Sequence, residues 1–355
     1  MRRNERKYER NYGIDLLRLV LMYMVCMLHT LGQGGILGVC QAGTVEYKAF
    51  WFLEILSYCA VDGFAIISGY MAVDRPRKYE KLVDMWFQAF FYSFVITMLF
   101  TLARCNQVWE KADMIRCAFP VTFGKFWYFT AFFALFFAIP ILNKFMFTVE
   151  EQSAKIAFLI LIILFSCMGL FADAFKTQGG YSTLWLIILY CIGALAKRGK
   201  VFEQKKSFTL IIMWAICIFW TWAAHVFQGN EQLTNFVSPT ILLSGLLMVI
   251  LFSRIRLKGT VIAKLSPLAF GIYLFQFNQV IWNNYLRGAF TFIAETNIIL
   301  GVVYAFACAA LIFISGLVVE FLRTKIAKVI KIPELSKKIV SVFHWMLKKV
   351  CVILK

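Results

Sequence analysis

Residues 10–30 read RNYGIDLLRLVLMYMVCMLHT, an apolar run that carries an aspartate, an arginine and a histidine. A helix crossing a hydrocarbon core of roughly 30 Å needs about 20 such residues, so the run is long enough to span a membrane. Arg18 and His29 are eleven residues apart. At 100° per residue, eleven steps return to within about 20° of the start, so both side chains leave one face. Asp15 falls within about 60° of the same stripe. At 1.5 Å per residue the histidine lies roughly 16 Å along the axis from the arginine, which spaces them along a path and does not pair them. Alone, such an arginine would snorkel to the head-groups and such a histidine would be a satisfied core residue. Three ionisable groups on one stripe point instead to a bundle interior or an aqueous cavity that a substrate follows.

The rest of the chain has the same character. Of 355 residues, 61% are hydrophobic, 17% aromatic and only 16% charged, a balance foreign to a soluble domain of this length. The expected fold is all-α: a polytopic integral membrane helical bundle. Apolar stretches place about ten transmembrane helices near 14–31, 49–71, 82–103, 126–146, 154–172, 181–196, 208–227, 237–253, 265–282 and 297–321. The stretch at 181–196 is short, and Lys264 and Ser266 blur the edge of 265–282, so nine or eleven spans also fit. The net charge of +18 would suggest nucleic acid for a soluble protein. Here the basic residues cluster between apolar spans and at the two ends, so no nucleic-acid partner is expected. With the amino terminus inside, 29 lysines and arginines fall on inner segments against seven on outer ones, which puts both termini in the cytoplasm. No small-x-small cleavage site precedes the GQGG at 32–35, so the first apolar run reads as an uncleaved span. Ten cysteines without a CxxC or a Cys/His ligand spacing give no indication of a metal site.

Arginine, ten residues and then histidine in the first span is similar to the opening motif of the family-3 membrane acyltransferases, bacterial enzymes that O-acylate envelope sugars. The similarity continues along the chain. VDGFAIISGY (61–70) resembles that family's VD-aromatic-SG signature. KFWYFTAFF (125–133) with PILN (140–143) resembles its WY span, and SPLAFGIYL (266–274) its late GIYL span. The resemblance implies a membrane acyltransferase domain over 1–322 in a bacterial plasma (inner) membrane. It also implies a cytosolic acyl-CoA, in the first instance acetyl-CoA, as donor, with no tightly bound cofactor. The implied acceptor is a hydroxyl of an envelope polysaccharide or a lipid-linked sugar. Two departures stand out: many relatives carry a histidine where this chain has Gln276, and the family's RxxR is here Lys78-Tyr-Glu-Lys81. Residues 323–355, basic with apolar positions at helical spacing, read as an amphipathic cytoplasmic tail lying on anionic membrane lipids.

Transfer of an acyl group to an alcohol needs a base for the hydroxyl proton or a nucleophile to carry the group, and an imidazole can be either. His29 takes that role. Arg18 is expected to act electrostatically on the acyl-CoA or on the developing oxyanion. In this orientation Glu54 lies near the outer end of the second span and Asp62 near its middle. A carboxylate at that depth needs a partner, so Asp62, or in second place Asp15, is expected to orient the imidazole. Asp15 is also a candidate substrate-binding residue. Trp127 and Tyr128, opening the fourth span, form either an aromatic belt or a platform for a sugar ring. Gln276, Asn278, Gln279, Asn283 and Asn284 make the ninth span a candidate substrate wall, Gln276 foremost, although helix-to-helix hydrogen bonds would use the same amides. Ser68 and Gly69 read as a site of close helix approach. The rival from another class is a transporter or flippase for a small solute or lipid-linked sugar, with His29 and Asp62 relaying protons. A membrane scaffold is the third reading, and it leaves the buried ionisable residues without purpose.

Overall fold

The computed structural model describes residues 10–72, 78–103 and 111–353; the chain is 81% helical, with no strand among the described residues. Helix α1 (Tyr12–Leu28) starts at Asn11, whose side chain accepts the Ile14 N–H at 3.0 Å and so satisfies a donor that the first turn leaves open. It is followed by α2 (Val45–Ala72), α3 (Tyr79–Leu102), α4 (Trp127–Thr148), α5 (Glu151–Met168) and α6 (Thr183–Arg198). The second half holds α7 (Ser207–Gln228), α8 (Pro239–Ser253), α9 (Thr260–Gln276), α10 (Gln279–Glu295), α11 (Ile298–Val329) and α12 (Ile332–Ile353). Helix α1 sits centrally against α2, α8, α9 and α11, with Leu17, Leu21 and Cys26 fully enclosed.

Eight helical stretches among the described residues are long and apolar enough to cross a membrane, nine if α9 and α10 form one bent span. The chain is thus a multi-pass membrane protein. The apolar stretch at 181–196, expected as a short span, folds as a helix, α6, whose 16 residues give about 24 Å. It is also a core element. Trp185, Leu189 and Ile192 have no exposed surface, and α6 packs against α2, α4 and α5.

The contact of α6 with α2 explains the Ser-Gly pair at 68–69. A Cβ on Gly69 would collide with the Tyr190 carbonyl, and a Cβ on Gly193 would collide with the Ile66 carbonyl. Each glycine therefore admits the other helix's backbone, the small-residue solution to packing in lipid.

The stretch expected as one span at 265–282 is broken. Helices α9 and α10 meet at 58°, because Asn278 turns its side-chain oxygen to the N–H groups of Val280 and Ile281, at 2.9 and 3.1 Å, and caps a new helix. The same side chain donates to the Tyr92 carbonyl at 2.6 Å, which ties the break to α3. The domain boundary expected at 322/323 falls inside α11, which runs on to Val329. There Glu320 is held by Arg323 at 2.7 and 2.8 Å and by the Tyr92 hydroxyl at 3.0 Å. The tail folds as α12 along α3, with the Ser336 hydroxyl donating to Asp84 at 2.5 Å.

Candidate active site

Past Leu28 the first helix widens into a π-helical turn, His29–Gln33, closed by the Gly34 N–H reaching back to the His29 carbonyl at 2.7 Å. Such turns insert one extra residue and are frequent at functional sites. The turn is clamped from outside. The Gly288 N–H donates to the Gln33 carbonyl at 3.0 Å, and the Phe290 N–H to the Gly34 carbonyl at 2.9 Å. These bonds hold the middle of α10 against the end of the first helix, and with it a second π-helical turn that begins at Trp282.

The break between α9 and α10 grips the imidazole. His29 Nδ1 lies 2.8 Å from the side-chain oxygen of Gln276, the last residue of α9. Phe277 and Trp282 meet the ring edge to face at centroid distances of 4.8 and 5.2 Å, and they stack on each other at 5.6 Å. An amide oxygen only accepts, so this contact requires a proton on Nδ1 and leaves the lone pair on Nε2. Nε2 has no protein partner among the described residues, and His29 lines a cavity of about 510 Å³.

Arg18 lines the same cavity at its other end, so the stripe on α1 is a wall of one chamber. Its guanidinium donates to Asp15 at 2.7 Å. Asp15 is buried behind it and also receives Arg10 at 2.5 Å and the Ser266 hydroxyl at 3.2 Å. Asp15 is not among the cavity-lining residues. The expectation that it binds substrate or orients the imidazole gives way to a positioning contact with Arg18, because three donors already occupy its oxygens.

Asp62 does not reach His29. It points from α2 toward α6, where Trp185 Nε1 donates to it at 3.1 Å, and it has no exposed surface. Its other oxygen has no partner among the described residues. The expected orienting carboxylate is replaced by the amide of Gln276, which sequence reasoning placed on a substrate wall. Trp127 and Tyr128 both line the cavity; the Tyr128 hydroxyl is buried without a partner, and Trp127 packs on Tyr181 at 4.6 Å. Sequence reasoning missed Phe277 and Trp282 as the imidazole's clamp, and it passed over Glu54, which is 6% exposed and lines the cavity. An acid eight residues before Asp62 in an apolar run was a visible signal for Glu54. No signal marked the aromatic clamp, since aromatic residues recur throughout the spans. Among the described residues no group of three His, Cys, Asp or Glu is placed to hold a metal ion.

A bundle of helices able to cross a membrane, around a chamber lined by an arginine and a histidine, defines a class: multi-pass membrane proteins with an enclosed chamber among their helices. The family model of acyltransferase family 3, described as an acyltransferase domain, matches residues 11–319, nearly the whole chain, and the protein belongs to that family. No curated protein matches the chain, and no solved structure does.

Proposed function

We propose that this membrane acyltransferase moves an acetyl group from cytosolic acetyl-CoA to a hydroxyl of an envelope polysaccharide or lipid-linked sugar, in a bacterial plasma membrane with both termini in the cytoplasm. The observation that carries the reading is the opening of Arg18 and His29 into one cavity, with Nδ1 of His29 engaged by Gln276 and Nε2 left free. The asymmetry of basic residues supports the orientation. In that orientation Arg18 lies on the donor's side and His29 on the acceptor's.

The chemistry follows from that arrangement. Nε2 of His29 takes the proton from the acceptor hydroxyl as its oxygen attacks the thioester carbonyl carbon, giving a tetrahedral oxyanion. The C–S bond then breaks, and the departing thiolate takes the proton back from the imidazolium. Gln276 keeps the proton on Nδ1 throughout, so that the free nitrogen is the basic one. Arg18, roughly 16 Å from His29 along the helix axis, is too far to meet the oxyanion. Its guanidinium suits the phosphates of the donor, for which a planar fork gives bidentate contacts. Trp127 and Tyr128 give the acceptor flat surfaces within the cavity.

The test is transfer of label from labelled acetyl-CoA to glycan or lipid-linked sugar in membranes containing the protein. The wild type transfers label, and His29→Gln inserts and accumulates but transfers at least about a hundredfold more slowly. Near wild-type turnover in that variant removes His29 from the mechanism.

A further inference from the structure

Glu54 is the one cavity-lining carboxyl among the described residues, and none of them bonds to it. It is buried on α2, forms no hydrogen bond or ion pair, and its Oε2 is wholly enclosed. Among the described residues a structural counter-ion is missing as well. The cation that lines this cavity is Arg18, fourteen residues before Gly32 and so roughly 20 Å from it along α1 and the π-helical turn, and it is engaged with Asp15. Glu54 itself sits beside Gly32, where a Cβ would lie 3.5 Å from Oε1. The carboxyl therefore opens into the chamber one helical turn beyond His29, at the end away from Arg18. Buried acids inside a bilayer are costly and are paired, or they mark a ligand's path.

The wall around Glu54 is aromatic. Tyr58 follows it by one turn on α2 and packs on Phe236 at 5.6 Å; Phe236 meets Tyr181 at 5.2 Å, and Tyr181 meets Trp127 at 4.6 Å. All four rings line the cavity. Flat apolar rings beside a carboxyl whose Oε1 is a free acceptor match a ring-shaped polyol, whose C–H faces lie on the aromatics and one of whose hydroxyls donates to the acid. A simple fatty alcohol would cover the rings and leave the acid unpaired.

We propose that Glu54 is the acceptor's anchor: it receives the hydroxyl next to the one that is acylated and thereby decides which hydroxyl faces His29. The acceptor is then a cyclic polyol with a free hydroxyl adjacent to its ester. The assignment rests on the acyl-transfer reading above and adds a positioning residue that the donor site does not share. A site that hydrogen-bonds a substrate hydroxyl rejects an analogue lacking it far more strongly than an apolar pocket discriminates by size.

The experiment compares wild type, Glu54→Gln and Glu54→Leu by two readouts. Purified protein is dialysed to equilibrium against labelled acetyl-CoA, and membranes holding the endogenous acceptor receive labelled acetyl-CoA, with the product's ester position read by NMR. The expected result is acetyl-CoA affinity within about twofold of wild type in both variants, and transfer lowered at least about a hundredfold in Glu54→Leu. Glu54→Gln, whose amide oxygen still accepts one hydrogen bond, retains part of the transfer with a raised acceptor KM. The wild-type ester carbon is flanked by a carbon bearing a free hydroxyl. Wild-type transfer by Glu54→Leu overturns the proposal, and so does an ester with no adjacent hydroxyl. Loss of acetyl-CoA affinity in both variants makes Glu54 structural and also overturns it. Wild-type protein that transfers no label overturns the acyl-transfer reading itself, and this proposal with it.

Discussion

His29 Nδ1 and the side-chain oxygen of Gln276 are 2.8 Å apart, although 247 residues separate them in the chain. A neutral amide thus stands where a carboxylate would be the familiar partner of a catalytic imidazole. It fixes the tautomer without adding a negative charge within the bilayer, where such a charge would be expensive.

Gln276→Leu removes that acceptor while nearly keeping the volume. A lost buried hydrogen bond of roughly 1–3 kcal/mol lowers turnover by about fivefold to somewhat over a hundredfold. The acetyl-CoA KM stays close to wild type, because the donor's charged end is read at Arg18. Steady-state kinetics with labelled acetyl-CoA check both numbers, and an unchanged turnover would mean that the imidazole needs no orienting partner.

Arg18→Lys keeps the charge and loses the fork. A lysine can still meet Asp15, but it cannot hold Asp15 and make a bidentate contact with a donor phosphate. Donor affinity falls about tenfold or more while acceptor KM is little changed. Asp15→Asn loosens the same guanidinium, so the double variant is less impaired than the sum of the two single ones. Equilibrium binding of acetyl-CoA in detergent measures the series, and strict additivity refutes the coupling.

The meeting of α2 and α6 predicts a stability effect away from the cavity. Gly69→Ala drives a methyl into the Tyr190 carbonyl, and Gly193→Ala drives one into the Ile66 carbonyl. Backbone cannot rotate aside as a side chain does, so each substitution costs about 1–3 kcal/mol of overpacking. Thermal unfolding in detergent should fall for both, whereas Gly38→Ala, with nothing within 4 Å of the added carbon, should leave it unchanged.

Orientation is open to direct labelling. In a cysteine-free background, single cysteines at the exposed positions Gln41 and Gln228 should react with a membrane-impermeant reagent on intact cells, and one at the exposed Lys205 should not. Reaction at Lys205 without reaction at the other two would invert the topology, and the donor would then have to reach Arg18 from the outside.

Much of the architecture was legible along the chain, because lipid imposes a simple rule. Every backbone polar group must be satisfied within its own segment, so a long apolar run in this composition is a helix. The same rule makes an ionisable residue in a span conspicuous, and helical periodicity alone put Arg18 and His29 on one face. Both line one cavity. Apolarity was the weaker guide to burial: α6 is as apolar as helices that face outward, yet neighbours enclose it on several sides.

Partnership was decided only in three dimensions. Asp62 was the natural candidate to orient His29, and the rotation of α2 sends it to Trp185 instead. Gln276 takes its place because Asn278 caps a new helix at that point, and the resulting bend swings Gln276, Phe277 and Trp282 onto the imidazole. Periodicity reports which face of its own helix a residue occupies and carries no information about which helix lies opposite. That choice belongs to the packing of the whole bundle, where glycines set how closely two backbones approach and capping residues set where a helix ends and turns.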